Sequence, residues 1–295
     1  MLNFYDHVRA HPEQLKQFSC KDLLFLINEC PPEFTKGEEW AEHNVFIYVM
    51  TGRHNLYSRE HEWHLKAGST MFVKKGGLGI ERVDDDSFCA LMFYVPDKYI
   101  CSFVRENIAL FPPVDLALLS AQKVLPVHTT EVMEAFYQSV LAYFSSTTQP
   151  PENLVELKFK ELLLHIITNK ENRELAAYFY RLAMTGMDDL QEIMETNCLY
   201  NLRLQEYARL CHRSLSTFKR DFQARFGHSP GRWLLEKRLG AAAKLLRQSG
   251  MQVMDVAQES GFKNIAHFDK VFKKQFGQSP LQYRKQFFAN SISLS

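Results

Sequence analysis

The sequence predicts an α+β chain: short strands forming a barrel or jelly roll, then helices, then an all-α domain built from a duplicated unit. Three observations carry this. Residues 214–230 (SLSTFKRDFQARFGHSP) recur as 264–280 (NIAHFDKVFKKQFGQSP), with Phe218, Phe222, Phe226, Gly227, Ser229 and Pro230 matched 50 positions later by Phe268, Phe272, Phe276, Gly277, Ser279 and Pro280. Apolar, β-rich runs separated by glycines fill residues 43–95. Charge is unevenly split: residues 186–295 hold 17 Lys and Arg against 10 Asp and Glu, net +7, whereas residues 1–185 hold 18 against 24, net −6. A basic half beside an acidic half suggests a polyanion-binding module joined to one that does not bind polyanions.

Residues 1–42 read as short mixed segments with turn signals such as Pro31-Pro32. Val45–Met50 (VFIYVM) is an apolar strand, Leu56–Leu65 alternates as a second, Thr70–Lys74 is a third and Ser87–Val95 a fourth. Gly76-Gly77-Leu78-Gly79 lacks the Lys-Ser/Thr and the following helix of a phosphate loop, so it reads as a turn. After Pro96 the period becomes helical, over Asp97–Leu110 and Thr129–Phe144. Ser145–Asn153 is a polar, proline-containing break, Leu154–Thr168 a helix with a wide apolar arc, and Glu171–Met184 a further helix.

The interdomain joint falls near Thr185-Gly186, and Asp188–Asn197 opens the next domain as a helix. Asn201 is the expected N-cap of the helix over 203–211. Each copy of the duplicated unit then reads as helix, tight turn, helix. Leu204 and Ala208 recur only 49 positions later, as Val253 and Ala257, so the second turn is one residue longer. Phenylalanines at i, i+4 and i+8 give the second helix of each copy one apolar face. Pro230–Ser249 joins the copies as one long helix, with Pro in its first turn and Gly250 beyond its end. Twenty residues of helix span about 30 Å, close to the ~34 Å between successive major-groove faces on one side of B-DNA.

The outward face of the first copy carries Ser216, Arg220 and Gln223, flanked by Thr217 and Lys219; that of the second carries Ala266, Lys270 and Lys273, flanked by His267 and Asp269. Lys and Arg suit phosphates and guanine edges, small polar residues suit other base edges, and Ala266 suits a thymine methyl. Arg213 and Lys263, with Asn264 at the start of the second copy's helix, complete the candidate contacts to double-stranded DNA.

With FGHSP at 226–230, WLLEKRLGAAAKLLR at 233–247, VMDVAQESGF at 253–262 and AHFDKVFKKQFGQSP at 266–280, residues 186–290 resemble the DNA-binding domain of the AraC/XylS family of bacterial transcription regulators. FIYVMTG at 46–52 and HLKAGSTMFVKKG at 64–76 resemble that family's cupin-like regulatory domain. The whole layout is similar to the ExsA-like branch, which activates type III secretion genes, through the strand-turn-strand at 45–75, VELKFKELL at 155–163 and LSTFK at 215–219. The resemblance implies a cupin-like β-barrel over 1–128, a helical dimerisation and linker segment over 129–185, and two helix-turn-helix subdomains over 186–295. It implies a sequence-specific activator that works with RNA polymerase as a homodimer, under a small-molecule effector or an antagonist protein. Helices 131–144 and 154–168 would form the dimer interface; the alternative is that they only cover the sheet of their own subunit.

Enzyme readings are weaker. His43, His54, His61 and His64 lack the His-x-His…Glu spacing of a cupin metal site, and on one strand His61 and His64 would face opposite sides, so they read as surface or hydrogen-bonded histidines. No nucleophile elbow or nucleotide loop is present, so no cofactor is expected. The alternative is a cupin-type metalloenzyme carrying a DNA-binding tail. Six scattered cysteines without a C-x-x-C pair read as reduced thiols. With no signal-peptide core and no apolar run near 18 residues, a cytoplasmic protein without a membrane partner is expected.

Overall fold

The computed structural model describes residues 1–30, 35–83, 87–186 and 190–292. The Pro31-Pro32 turn, Asp188 and Asp189 of the expected helix, and the side chain of Cys30 lie outside the described residues. The chain divides into two compact units, Met1–Asp189 and Leu190–Ser295.

The first unit runs β1 (Leu2–Asn3), α1 (Phe4–Ala10), β2 (Gln17–Cys20), β3 (Leu23–Cys30), β4 (Lys36–Ala41), β5 (Asn44–Thr51), β6 (Arg53–Tyr57), β7 (Glu62–Lys66), β8 (Thr70–Val73), β9 (Gly76–Arg82) and β10 (Phe88–Val95). It continues with α2 (Asp97–Glu106), β11 (Val124–Val127), α3 (Glu131–Ser145), α4 (Glu152–Thr168) and α5 (Arg173–Thr185). The strands form two sheets, ordered β1-β4-β9-β6-β7 and β11-β8-β5-β10-β3-β2. Leu24, Val45, Ile47 and Met92 of the second sheet pack with Leu56, Leu65 and Leu78 of the first, so the sheets face each other across one core. The other face of the six-stranded sheet presents Phe25, Phe46, Tyr48, Leu91 and Phe93 to α2 through α5 in a second core. Because β5 is buried on both faces, its sequence is apolar at nearly every position rather than alternating. Of the two expected architectures, the structure is a two-sheet jelly-roll sandwich, not a single closed barrel.

Four expectations are corrected. Residues 56–65 are not one strand but parts of the β6–β7 hairpin, reversed where Ser58 N–H donates to the His61 carbonyl at 2.8 Å; His61 therefore sits in the turn and shares no strand with His64. Gly76–Gly79 is not a turn but the start of β9. A Cβ at Gly79 would lie 2.1 Å from the Tyr57 ring, so the missing side chain makes room for that ring on the neighbouring strand. Strands also begin before residue 43, because β2 and β3 edge the larger sheet. Finally, Arg203 rather than Asn201 caps its helix, with the Glu206 carboxylate accepting from Arg203 N–H at 2.6 Å.

A buried polar knot ties α2 to the sheets. The Asp97 carboxylate, fully buried at the helix start, accepts from Lys75 Nζ at 2.6 Å and from Asn44 Nδ2 at 2.7 Å. A carboxylate there is also favoured by the positive end of the helix.

The second unit is helical: α6 (Leu190–Asn197), α7 (Leu204–Leu210), α8 (Leu215–Phe226), α9 (Pro230–Gln248), α10 (Val253–Glu259), α11 (Ile265–Phe276) and α12 (Pro280–Ile292). α9 serves both halves. Trp233 near its start meets Phe222 and Phe226 of α8, while Leu239, Ala242, Ala243 and Leu246 pack with Val256, Phe268 and Phe272. Among the described residues no helix is long and apolar enough to cross a membrane.

Candidate nucleic-acid interface

The two helix-turn-helix units repeat bond by bond. After α7, Cys211 N–H donates to the Tyr207 carbonyl at 3.0 Å, His212 N–H to Arg209 at 2.9 Å and Arg213 N–H to Ala208 at 2.9 Å. After α10, Ser260, Gly261 and Phe262 make the same bonds to Val256, Gln258 and Ala257 at 3.0, 2.9 and 2.9 Å. The turn needs one left-handed residue, His212 (φ 53°) in the first copy and Gly261 (φ 81°) in the second. Histidine tolerates that conformation better than most non-glycine residues. At Gly261 a side chain is also barred by crowding, since a Cβ would lie 2.6 Å from the Leu199 carbonyl oxygen.

Each second helix begins on a side-chain cap and ends on a left-handed glycine. The Ser214 hydroxyl accepts from Thr217 N–H at 3.2 Å and the Asn264 carbonyl from His267 N–H at 2.9 Å; Gly227 and Gly277 close the far ends at φ 71° and 76°. Phe218, Phe222, Phe268 and Phe272 are completely buried, which fixes which face of α8 and α11 turns outward.

On the outward faces Ser216, Lys219, Arg220 and Gln223 of α8 are exposed and Thr217 is half-buried; Ala266, His267, Asp269, Lys270 and Lys273 of α11 are all exposed, with Lys263 and Asn264 just before it. Several candidates are already engaged within the protein; Ser216 and Thr217 both bond the Ser214 hydroxyl, at 3.0 and 2.9 Å. Arg213 is half-buried and pairs with Asp221 at 3.4 Å, and Arg220 reaches the same carboxylate at 3.2 Å. Gln223 Nε2 donates to the Gly227 carbonyl at 2.9 Å. Asn264 spends its side-chain carbonyl on the helix cap, leaving its amide N–H groups. The sequence reading missed Asp221, the residue that orients both arginines; the acidic residue beside Arg220 was its only signal.

The first unit holds a different kind of site. Between its sheets lies a cavity of about 210 Å³, walled mainly by aliphatic and aromatic side chains. Glu39 lines it, and burial pushes its carboxyl up to about 7. Glu39 as a whole is half-buried, and it lines the cavity. His54, stacked on Phe88 with ring centroids 3.8 Å apart, is held neutral by burial, which lowers it to about 4, and its Nε2 has no hydrogen-bond partner. It is thus neither a surface nor a hydrogen-bonded histidine on that side. His64 bonds Asn55 at 2.9 Å, and the four histidines do not converge. Among the described residues no group of three or more His, Cys, Asp or Glu could hold a metal, and Cys20, Cys89, Cys101, Cys198 and Cys211 are free thiols.

Residues 44–178 match the model of the ExsA N-terminal regulatory domain, and residues 207–286 match a helix-turn-helix domain. The chain is 24% identical to the thermoregulatory protein LcrF of Yersinia pestis, over 84% of this chain and 91% of that one. It is 24% identical to the HTH-type transcriptional regulator ExsA of Pseudomonas aeruginosa, over 83% and 86% of the two chains. An HTH-type transcriptional regulator of Haemophilus influenzae is 28% identical over 86% and 90%.

Proposed function

From a chain that belongs to the ExsA-like branch of the AraC/XylS family of transcriptional regulators, and so is a DNA-binding activator rather than an enzyme, we propose that α8 and α11 enter two neighbouring major grooves on one side of the duplex. The repeated turn supports this reading most directly. Identical bond patterns hold two helices by their buried phenylalanines and leave both polar faces exposed. In this reading Lys219, Arg220, Lys270 and His267 reach bases or phosphates, Ser216, Thr217, Gln223 and Ala266 meet base edges, and Arg213, Lys263, Asn264 and Lys273 hold the backbone. Asp269 sits beside a basic pair and favours a donor such as a cytosine amine. On binding, Arg220 exchanges its 3.2 Å contact with Asp221 for DNA, at little cost because the arginine is exposed and Asp221 keeps Arg213 as a partner.

The first unit would supply control and pairing over the expected boundaries, 1–128 for the regulatory domain and 129–185 for the helical segment. Val132 of α3 and Leu154 and Leu157 of α4 expose apolar side chains that a homodimer would cover. RNA polymerase is the partner of the bound dimer, the cytoplasm its compartment, and an antagonist protein or a small effector its input. The sandwich cavity favours the effector.

Footprinting on a target promoter tests the groove assignment. Each protomer should protect two segments about one helical turn, roughly 34 Å, apart. Protection of a single groove segment per protomer would remove α8 or α11 from the reading. Titration against random duplex at fixed salt separates specific from merely electrostatic binding.

A further inference from the structure

We infer that the cavity between the two sheets of the first unit binds a small apolar amine, with its ammonium against the Glu39 carboxylate and its hydrocarbon body against the surrounding walls. The volume sets the size. A cavity of about 150 Å³ takes a benzene-sized guest, so one of about 210 Å³ takes a ring with a short side chain. The walls set the body of the ligand: Val45, Ile47, Leu56, Leu78 and Met92 offer no polar group.

Glu39 sets the charge. It pairs in register with Leu78, so both side chains point into the sandwich. Among the described residues no hydrogen bond or ion pair engages its carboxyl. Burial alone raises its affinity for a proton, with no cation offsetting that. His43 also lines the cavity, edge-on to the Tyr5 ring at 4.5 Å and 3.8 Å from the Glu42 carboxylate. Burial raises the Tyr94 phenol of β10, and the nearby Glu39 carboxyl and then Tyr5 of α1 add to the same effect. Lys74 touches the cavity, but its ammonium donates to the Ser120 carbonyl at 3.0 Å and lies 4.8 Å from the Tyr178 ring. His54 is neutral. A desolvated carboxylate without a counter-charge is costly, and a ligand cation removes that cost. Phe4 and Tyr94 add aromatic rings to the same walls, which further favours a cation. An anionic ligand would place a second negative charge beside Glu39.

The test uses the full chain and three probes that share a phenethyl body in titration calorimetry: phenethylamine, 2-phenylethanol and 3-phenylpropionate. Phenethylamine should bind, and Glu39→Gln should weaken it at least tenfold while leaving the alcohol unchanged. Binding should also expel the carboxyl proton. About one proton should leave at pH 6 and about none at pH 8.5, read from the dependence of the heat on the buffer's ionisation enthalpy. That count is made on the wild-type chain, so it decides the point even where the variant does not fold. The proposal is overturned if phenylpropionate or the alcohol binds as well as the amine, if no probe binds, or if amine binding at pH 6 releases no proton. It rests on the effector reading only for its consequence. Amine binding without any change in promoter affinity would keep the site and remove the effector reading. Binding of the alcohol or the propionate in place of the amine would remove the amine site and keep the effector reading with another ligand class.

Discussion

Gly261→Ala puts the turn of the second helix-turn-helix to a quantitative test. The backbone there is left-handed at φ 81°, which costs an alanine about 1–2 kcal/mol. The added Cβ would also lie 2.6 Å from the Leu199 carbonyl oxygen and 3.0 Å from Arg238 Nε. Neither neighbour yields easily. The Arg238 guanidinium donates to the Cys198 and Tyr200 carbonyls at 2.8 and 2.7 Å, clamping the chain on both sides of Leu199. Moving that segment would weaken one of these charge-assisted bonds, adding about 1.5 kcal/mol. The total is about 3 kcal/mol, or roughly a hundredfold in the opening equilibrium. Gly277→Ala is the control: its φ is 76°, but a Cβ there meets nothing within 4 Å, so only the conformational cost of about 1–2 kcal/mol applies. Native-state hydrogen exchange on the α10 and α11 amides reads both variants residue by residue. Equal acceleration in the two variants would refute the crowding at Leu199.

Three further outcomes are expected. Arg220→Ala should weaken promoter binding by about 1–3 kcal/mol if the guanidinium reads a guanine; gel-shift titration showing equal loss on specific and random duplex would reduce it to a phosphate contact. Phe272→Ala, at a fully buried position, should cost about 3–5 kcal/mol and unfold the second half of the DNA-binding unit, seen as loss of amide protection across α10 to α12. Burial raises Glu39 to about 7, so between its ordinary carboxylate range and that value the folded chain holds a proton the unfolded chain has lost. Stability of the first unit should therefore fall as pH rises through about 7. His54, lowered to about 4, acts oppositely but only below about 6.5. The difference between wild type and Glu39→Gln in urea midpoints from pH 6.5 to 8 isolates the carboxyl, and parallel curves would contradict its buried state.

Most of the second unit is written locally. Phenylalanines four apart, a cap before them and a glycine after them specify α8 and α11 without reference to the rest of the chain, because helix faces, caps and left-handed stops are properties of neighbouring residues. The 49-residue offset at the turn, set against 50 in the helix, even located the extra residue between α10 and α11. The side-chain bonds within the interface were less legible. That Gln223 folds back onto the Gly227 carbonyl, and that Asp221 gathers Arg213 and Arg220, depends on rotamers that no spacing encodes.

The first unit divides the same way. Its apolar runs determined β5 and β10, since a strand buried on both faces must be apolar throughout. Only the folded sheets decided that Gly76–Gly79 is a strand, because its reason, the Tyr57 ring, comes from a neighbouring strand 22 residues earlier than Gly79. Only the facing sheets made Glu39 unusual. In the sequence it is one of two adjacent glutamates; in the sandwich, desolvation separates it from Glu38, which pairs with Arg59 at 2.6 Å, whereas among the described residues no cation pairs with Glu39. Period and capping act over one turn of helix or a pair of residues and so survive in the linear chain. Burial, close approach and counter-charge exist only once distant segments have met.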